Sequence, residues 1–280
     1  MKINKYVQTV RRAASYIKKR ANGFKPDIIV VLGSGLAGAS PDLENKKLVA
    51  YKDIPGFPKP TVSGHSGRLL LGQAGKGRRK RNVAVMQGRF HYYEGHAMES
   101  IALPIRALEY LGARTLIATS AVGSMIKNLQ PGDICVIKDH MNFMGRNPLR
   151  AFHEEEFGDM FPDLVNAYTP ALRKKALAVC RRLKIHALEG VYTAVGGPSY
   201  ETPAEIKAFA KLGGSVVGMS VIPETIVARQ MGMDIMALSW ISNMAAGTSK
   251  EVLSHPDVLA LGEKMAVRMR NVLNGAIAQI

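Results

Sequence analysis

The 280-residue chain is 47% hydrophobic and 21% charged with a formal net charge of +16. That composition excludes a disordered or low-complexity protein, and no apolar run approaches the roughly 20 residues of a bilayer span. The basic charge is scattered over 18–20, 76–81 and 173–175 with no zinc-finger or aromatic nucleic-acid motif, so it argues for attraction of anionic substrates and against nucleic acid as a primary partner.

Residues 1–23 place Ile3, Val7, Val10, Ala14 and Ile17 three or four apart, the spacing of an amphipathic helix. The segment lacks the continuous apolar block of a signal peptide, which points to the cytoplasm. Short β-rich runs follow at 27–33, 68–73, 82–88, 115–123, 133–140, 190–197, 215–220 and 234–242. Helical patterns lie near 99–112, 169–184, 203–212, 222–232 and 255–275. Alternation of this kind predicts an α/β fold whose sheet is covered on both faces. The basic run 76–81 lies between two strands and reads as a solvated hairpin loop. No linker divides the chain, so residues 1–280 read as one domain. Cys135 and Cys180 sit in apolar surroundings and read as buried free thiols. No Cys or His spacing suits a metal.

Residues 33–38 spell G-x-G-x-x-G after an apolar strand, with Asp53 about 20 residues on. A dinucleotide-binding unit needs a helix between them, and Pro41 falls where that helix would run. What survives is a glycine turn whose N–H groups, with the Ser34 hydroxyl, suit an anion; a ligand-free turn remains the alternative. His65 lies between two glycines. Arg89 and His91 are two apart after a strand, so they share a face and can reach one pocket. Guanidinium, imidazole and serine hydroxyl form a phosphate cradle. Thr202, Pro203 and Glu205 read as a helix start with a capping box, which leaves Glu201, just before the cap, for a ligand's N–H groups. Ser220 and Asn243 stand at two further strand ends, and the Asn243 amide can both donate and accept toward a heterocycle.

The segments "GSGL", "GHSGR", "MQGRFHYYEGH", "SAVGSM", "FGDMFPDL", "GGPSYETPAE", "GMSVIPETIVARQMG", "SNMAAG" and "SHPDVLALG" occur in order between residues 27 and 265. In this the chain resembles the trimeric purine nucleoside phosphorylases, the class specific for 6-oxopurines. The resemblance implies a single-domain, three-layer α/β/α fold with a central mixed sheet covered by helices. It implies phosphorolysis of inosine, guanosine and their 2′-deoxy forms, with orthophosphate as co-substrate and no cofactor or metal. Ser34, His65, Arg89, His91, Ser220 and the backbone of Ala121 would bind phosphate. Tyr93 and Met219 would contact the ribose and His255 its 5′ hydroxyl. Tyr200 would stack on the base, Glu201 would take its N–H groups, and Asn243 would assist its departure. Asn243, Glu201 and His91 would thus carry the catalysis. Phe161 would enter the neighbouring subunit's site in a homotrimer.

A carboxylate suits the N–H of a 6-oxopurine and repels the bare ring nitrogen of adenine. Glu201, Asn243 and His255 therefore favour inosine and guanosine over the alternative substrates, methylthioadenosine and methylthioinosine. A nucleosidase or a non-catalytic phosphate-binding protein are the other readings. The chain departs from the family pattern at Val122 (usually Ala), Tyr200 (often Phe) and Ser242 (often Thr).

Overall fold

The computed structural model describes residues 3–58, 67–75, 77, 80–150, 154–248 and 255–280. The chain opens with α1 (Ile3–Arg20), whose apolar positions Tyr6, Val7, Val10, Ala13, Ala14 and Ile17 are all buried. Lys18, Lys19 and Arg20 in its last turn complement the negative end of the helix dipole. Asn22 and Gly23 then take positive φ, and the Gly23 N–H returns to the Lys18 carbonyl at 2.8 Å, closing the helix end.

One nine-stranded mixed sheet organises the rest. Its strands are β1 (Ile28–Leu32), β2 (Glu44–Ala50), β3 (Arg68–Ala74), β4 (Arg81–Gln87), β5 (Thr115–Ser124), β6 (Ile134–Asn142), β7 (Ala187–Ala194), β8 (Val216–Gly218) and β9 (Asp234–Met244). The order is β2-β3-β4-β1-β5-β8-β7-β6-β9, and β9 also pairs with β5 in parallel. Five strands therefore close into a ring, from which β1, β4, β3 and β2 extend as an open arm. β3 and β4 form the antiparallel hairpin expected around 76–81.

Five further helices complete the fold: α2 (Met98–Tyr110), α3 (Pro170–Arg182), α4 (Pro203–Lys211), α5 (Ile222–Gln230) and α6 (His255–Ile277). Strand periodicity sorts the core into two layers. Ile29 and Val31 of β1 join the cluster built with α1, α2 and α5. Ile28, Val30 and Leu32 join the cluster built with α3 and α6. The sheet is thus covered on both faces, and the five helices of the two covering layers lie where their apolar periodicity placed them.

Two expectations meet details of the structure. After the glycine turn there is one 3-10 turn, Ala37–Ala39, and then strand β2, which the sequence reading had not identified. Asp53 lies in another 3-10 turn and not at a strand end, so it cannot read a ribose as in a dinucleotide fold. Cys135 and Cys180 are buried and unpaired, and no described helix is long and apolar enough to cross a membrane.

Candidate active site

A cleft opens where the ends of β5, β8 and β9 meet the glycine turn after β1. Ser34, His91, Tyr93, Ala121, Tyr200, Glu201, Met219, Ser220 and Asn243 line it, together with Val122, Gly218, Ser242 and others. Nine of the residues singled out in the sequence therefore share one cavity.

The glycine turn is held by contacts rather than by a following helix. The Gly33 N–H donates to Thr119 Oγ1 at 3.1 Å, and Thr119 Oγ1 donates to the Val31 carbonyl at 2.9 Å. A Cβ on Gly33 would lie 2.7 Å from the Thr119 carbonyl oxygen. Gly35 has φ +74°, and a Cβ there would lie 2.9 Å from the Cα of Gly262 in α6. Ser34 is thereby wedged between β5 and α6.

Arg89 sits behind the cleft wall and is 1% exposed. Its Nη1 donates to the Thr119 carbonyl at 2.8 Å and to Ser220 Oγ at 2.9 Å, and its Nε lies 3.1 Å from Glu224. His91 lines the cleft, while Arg89, expected to reach it with His91, is buried behind that wall and bonded to Ser220, which lines it. The guanidinium's two acceptors and its ion pair draw it inward.

His91 Nδ1 lies 3.0 Å from Glu94 Oε1, and Tyr93 stacks on its ring at 4.7 Å. Burial lowers the His91 pKa, partly offset by Glu94, so the imidazole is neutral near pH 7. A neutral ring that donates Nδ1–H to Glu94 carries its acceptor on Nε2.

Ser220 owes its position to a strained turn. Val221 has φ +71° and ψ −48°, and the Ile222 N–H returns to the Ser220 carbonyl at 2.8 Å, the geometry of a γ-turn. A β-branched residue there stores about 1–3 kcal/mol. The Ser220 N–H donates to the buried Tyr192 hydroxyl at 3.1 Å.

Asn243 is aimed by a β-bulge. Val122 faces Ile241, but the next pair is Gly123 with Asn243, so Ser242 is the extra residue. Asn243 Nδ2 donates to Ser242 Oγ at 2.8 Å, and Ser242 Oγ donates to the Val122 carbonyl at 3.1 Å. This relay fixes the amide plane. Glu201 precedes the Thr202 capping box of α4, where Thr202 accepts from the Glu205 N–H at 3.2 Å and Glu205 accepts from the Thr202 N–H at 2.7 Å. Burial raises the Glu201 pKa. Gly197 leaves room for the site: a Cβ there would lie 2.5 Å from Met219 Sδ and 3.2 Å from Tyr93.

Three further sequence candidates remain. His65 lies outside the described residues. His255 begins α6, and its side chain is outside them too. Phe161 is 86% exposed and does not line the cleft. Among the described residues, no group of three His, Cys, Asp or Glu is placed to hold a metal. Sequence reasoning missed the supporting roles of Thr119, Tyr192, Glu94 and Glu224. Glu94 follows His91 at the spacing of a capping box, which was a readable signal.

A family profile described as the phosphorylase superfamily matches residues 27–278. Purine nucleoside phosphorylase 1 of Bacillus subtilis is 43% identical over 270 residues, covering 96% of this chain and 98% of that protein. The crystal structure of Schistosoma mansoni purine nucleoside phosphorylase in complex with inosine superimposes with a TM-score of 0.90 at 37% identity, covering 98% of this chain and 97% of that one. That of its isoform 2 with cytosine and ribose-1-phosphate gives 0.90 at 39%, covering 98% and 96%. The chain belongs to the phosphorylase superfamily and, within it, to the purine nucleoside phosphorylases.

Proposed function

We propose that the protein cleaves the N-glycosidic bond of inosine, guanosine and their 2′-deoxy forms with orthophosphate, releasing the purine and (deoxy)ribose 1-phosphate. The observation that carries this reading is one cleft lined by Ser34, His91 and Ser220 together with Glu201 and Asn243. The first set suits a phosphate, the second a 6-oxopurine, and Tyr93 and Met219, which line the same cleft, suit the sugar.

Phosphate is held by the Ser34 and Ser220 hydroxyls, the Ala121 backbone and His91, with Arg89 adding positive charge from behind. Neutral His91 accepts a proton of the phosphate at Nε2 and leaves an oxygen directed at the anomeric carbon. As the C1′–N9 bond breaks, its electron pair passes to the purine. A phosphate oxygen forms the new bond to C1′. Asn243 stabilises the charge growing on the five-membered ring, which is interaction gained in the transition state. Glu201 accepts the N–H of the six-membered ring and thereby selects 6-oxopurines. Tyr200 covers the base. His65 and His255 are assigned to phosphate and to the 5′ hydroxyl by family resemblance alone. Orthophosphate is the only co-substrate the reaction requires.

We also place Phe161 in the cleft of a neighbouring subunit of a homotrimer. It is flanked by exposed Met160 and Val165 and by Glu154, Glu155, Glu156, Asp159 and Asp163. Beside the cleft, Tyr92, Tyr93, Arg146 and Arg150 line a recess in which the two arginines outnumber its one acid, Glu99. The reading keeps the enzyme in the cytoplasm, in accord with two unpaired buried thiols.

The test is hypoxanthine release from inosine with and without orthophosphate. Release that needs phosphate and yields ribose 1-phosphate is expected. Release in its absence would make the protein a hydrolase, and no release from any purine nucleoside would leave a binding protein.

A further inference from the structure

We propose that Arg106 is a positioning residue for the neighbouring subunit's cleft, because it fixes the segment that presents Phe161. The proposal rests on the reading of Phe161 given above.

Arg106 lies on the buried face of α2, 1% exposed, and none of the ion pairs among the described residues involves it. Burying a guanidinium that has the Tyr6 side chain as a neutral partner and no carboxylate in contact is unfavourable, and an apolar side chain of similar length would pack there at less cost. Its geometry gives the reason for keeping it. The guanidinium carbon stands 4.2 Å from the centroid of the Phe157 ring, a cation–π distance. Its Nη2 donates to Gln230 Oε1 at 2.7 Å. The other end of the same amide, Gln230 Nε2, donates to the Asp159 carbonyl at 3.1 Å. Arg106 therefore holds the segment on both sides of Gly158, directly through a ring and indirectly through an amide. Gly158 has φ +98° and lies against the Gln230 carbonyl, where a Cβ would collide.

Neighbouring fasteners reinforce this clamp. Phe157 meets Tyr6 of α1 edge-on at 6.1 Å, and Arg11 of α1 pairs with Glu156. Arg229 Nε donates to the Asp163 carbonyl at 3.1 Å. Residues 156–159 and 163 are tied down, while Met160 and Phe161 between them face solvent. This arrangement points a side chain outward. It also gives the N-terminal helix a role in the site without any contact with substrate.

The test is a double-mutant cycle of Arg106→Met with Phe161→Ala, read as KM for inosine, KM for phosphate and kcat, with light scattering for subunit number. Each single variant should raise the inosine KM by about tenfold and leave the phosphate KM within about twofold. The double variant should be no worse than Phe161→Ala alone, and all should stay trimeric. If Arg106→Met raises the inosine KM equally in the Phe161→Ala background, Arg106 acts elsewhere and the proposal falls while the Phe161 reading stands. If Arg106→Met dissociates the trimer, Arg106 builds the assembly instead of aiming Phe161, and the proposal falls. If Phe161→Ala alone leaves the inosine KM unchanged, the neighbour reading falls and takes this one with it. Should Arg106→Met fail to fold, Phe157→Leu, which keeps apolar bulk and removes the ring facing Arg106, goes through the same cycle with the same outcomes.

Discussion

The proposed phosphate end and the proposed base end of the cleft are built in different ways. At the phosphate end, Arg89 and Ser220 are buried and bonded to one another, with Glu224, Thr119 and Tyr192 around them, and buried His91 is held by Glu94. At the base end, Tyr200 is 41% exposed, Glu201 and Asn243 are half-buried, and a relay runs from Asn243 through Ser242 to a strand carbonyl. The phosphate end is part of the core and is arranged before any ligand arrives. The base end is a rim of single groups whose partners come with the substrate. Damage at the first should therefore harm fold and function together, and damage at the second should harm function alone.

The strongest test of that contrast is Arg89→Met. It strands Glu224, which is 4% exposed, as a buried charge without its partner. A loss of about 3–5 kcal/mol in urea unfolding is expected, with a raised phosphate KM. Unfolding unchanged from wild type would show that the phosphate end is not part of the core's stability. Asn243→Ala is the counterpart. It should lower kcat for inosine by about 10²–10³-fold, the effect of removing one preorganised charge-stabilising group, with unfolding nearly unchanged. Turnover close to normal would remove Asn243 from the mechanism.

Glu201→Gln gives a smaller and more specific effect. Burial raises the Glu201 pKa above its ordinary 4.5, and the charged carboxylate accepts an N–H more strongly than the neutral acid does. As pH falls through that raised value the group takes a proton, so kcat/KM for inosine should fall on the acid side. Glu201→Gln should lower kcat/KM at pH 7 by roughly 1–3 kcal/mol of lost transition-state binding and abolish that part of the acid limb. What remains of the limb belongs to His91, whose pKa is lowered from 6.5. An acid limb unaltered by the substitution would assign all of it to other groups.

Much of this was legible in the chain because strand ends carry both the glycines and the ligand-facing residues. Ser34, His91, Glu201, Ser220 and Asn243 each follow an apolar run, and the capping box at Thr202 sets Glu201 apart in the sequence itself. Strand β2 was not legible. Its sequence ENKKLVA is mostly exposed, with a burial pattern of an edge strand that offers one core side chain, Val49. The closure of β9 onto β5 left no local trace either, because pairing partners some 120 positions apart are chosen by packing. The surroundings of Arg89 were hidden for the same reason. Its partners Thr119, Ser220 and Glu224 come from distant parts of the chain, and periodicity alone reports only that Arg89 and His91 share a face.

The closed ring has a consequence in time. β5 spans residues 115–124 and β9 spans 234–244, and their ten-residue register places Gly123 beside Asn243. The arm β1–β4 and strand β5 can pair as soon as the first half of the chain is available, but the wall that holds Asn243 forms only after β9 has been made. Contacts this distant in sequence carry the largest loop-closure entropy and form late. The catalytic cleft is thus among the last features of the molecule to exist, and a chain halted before β9 has a sheet but no site.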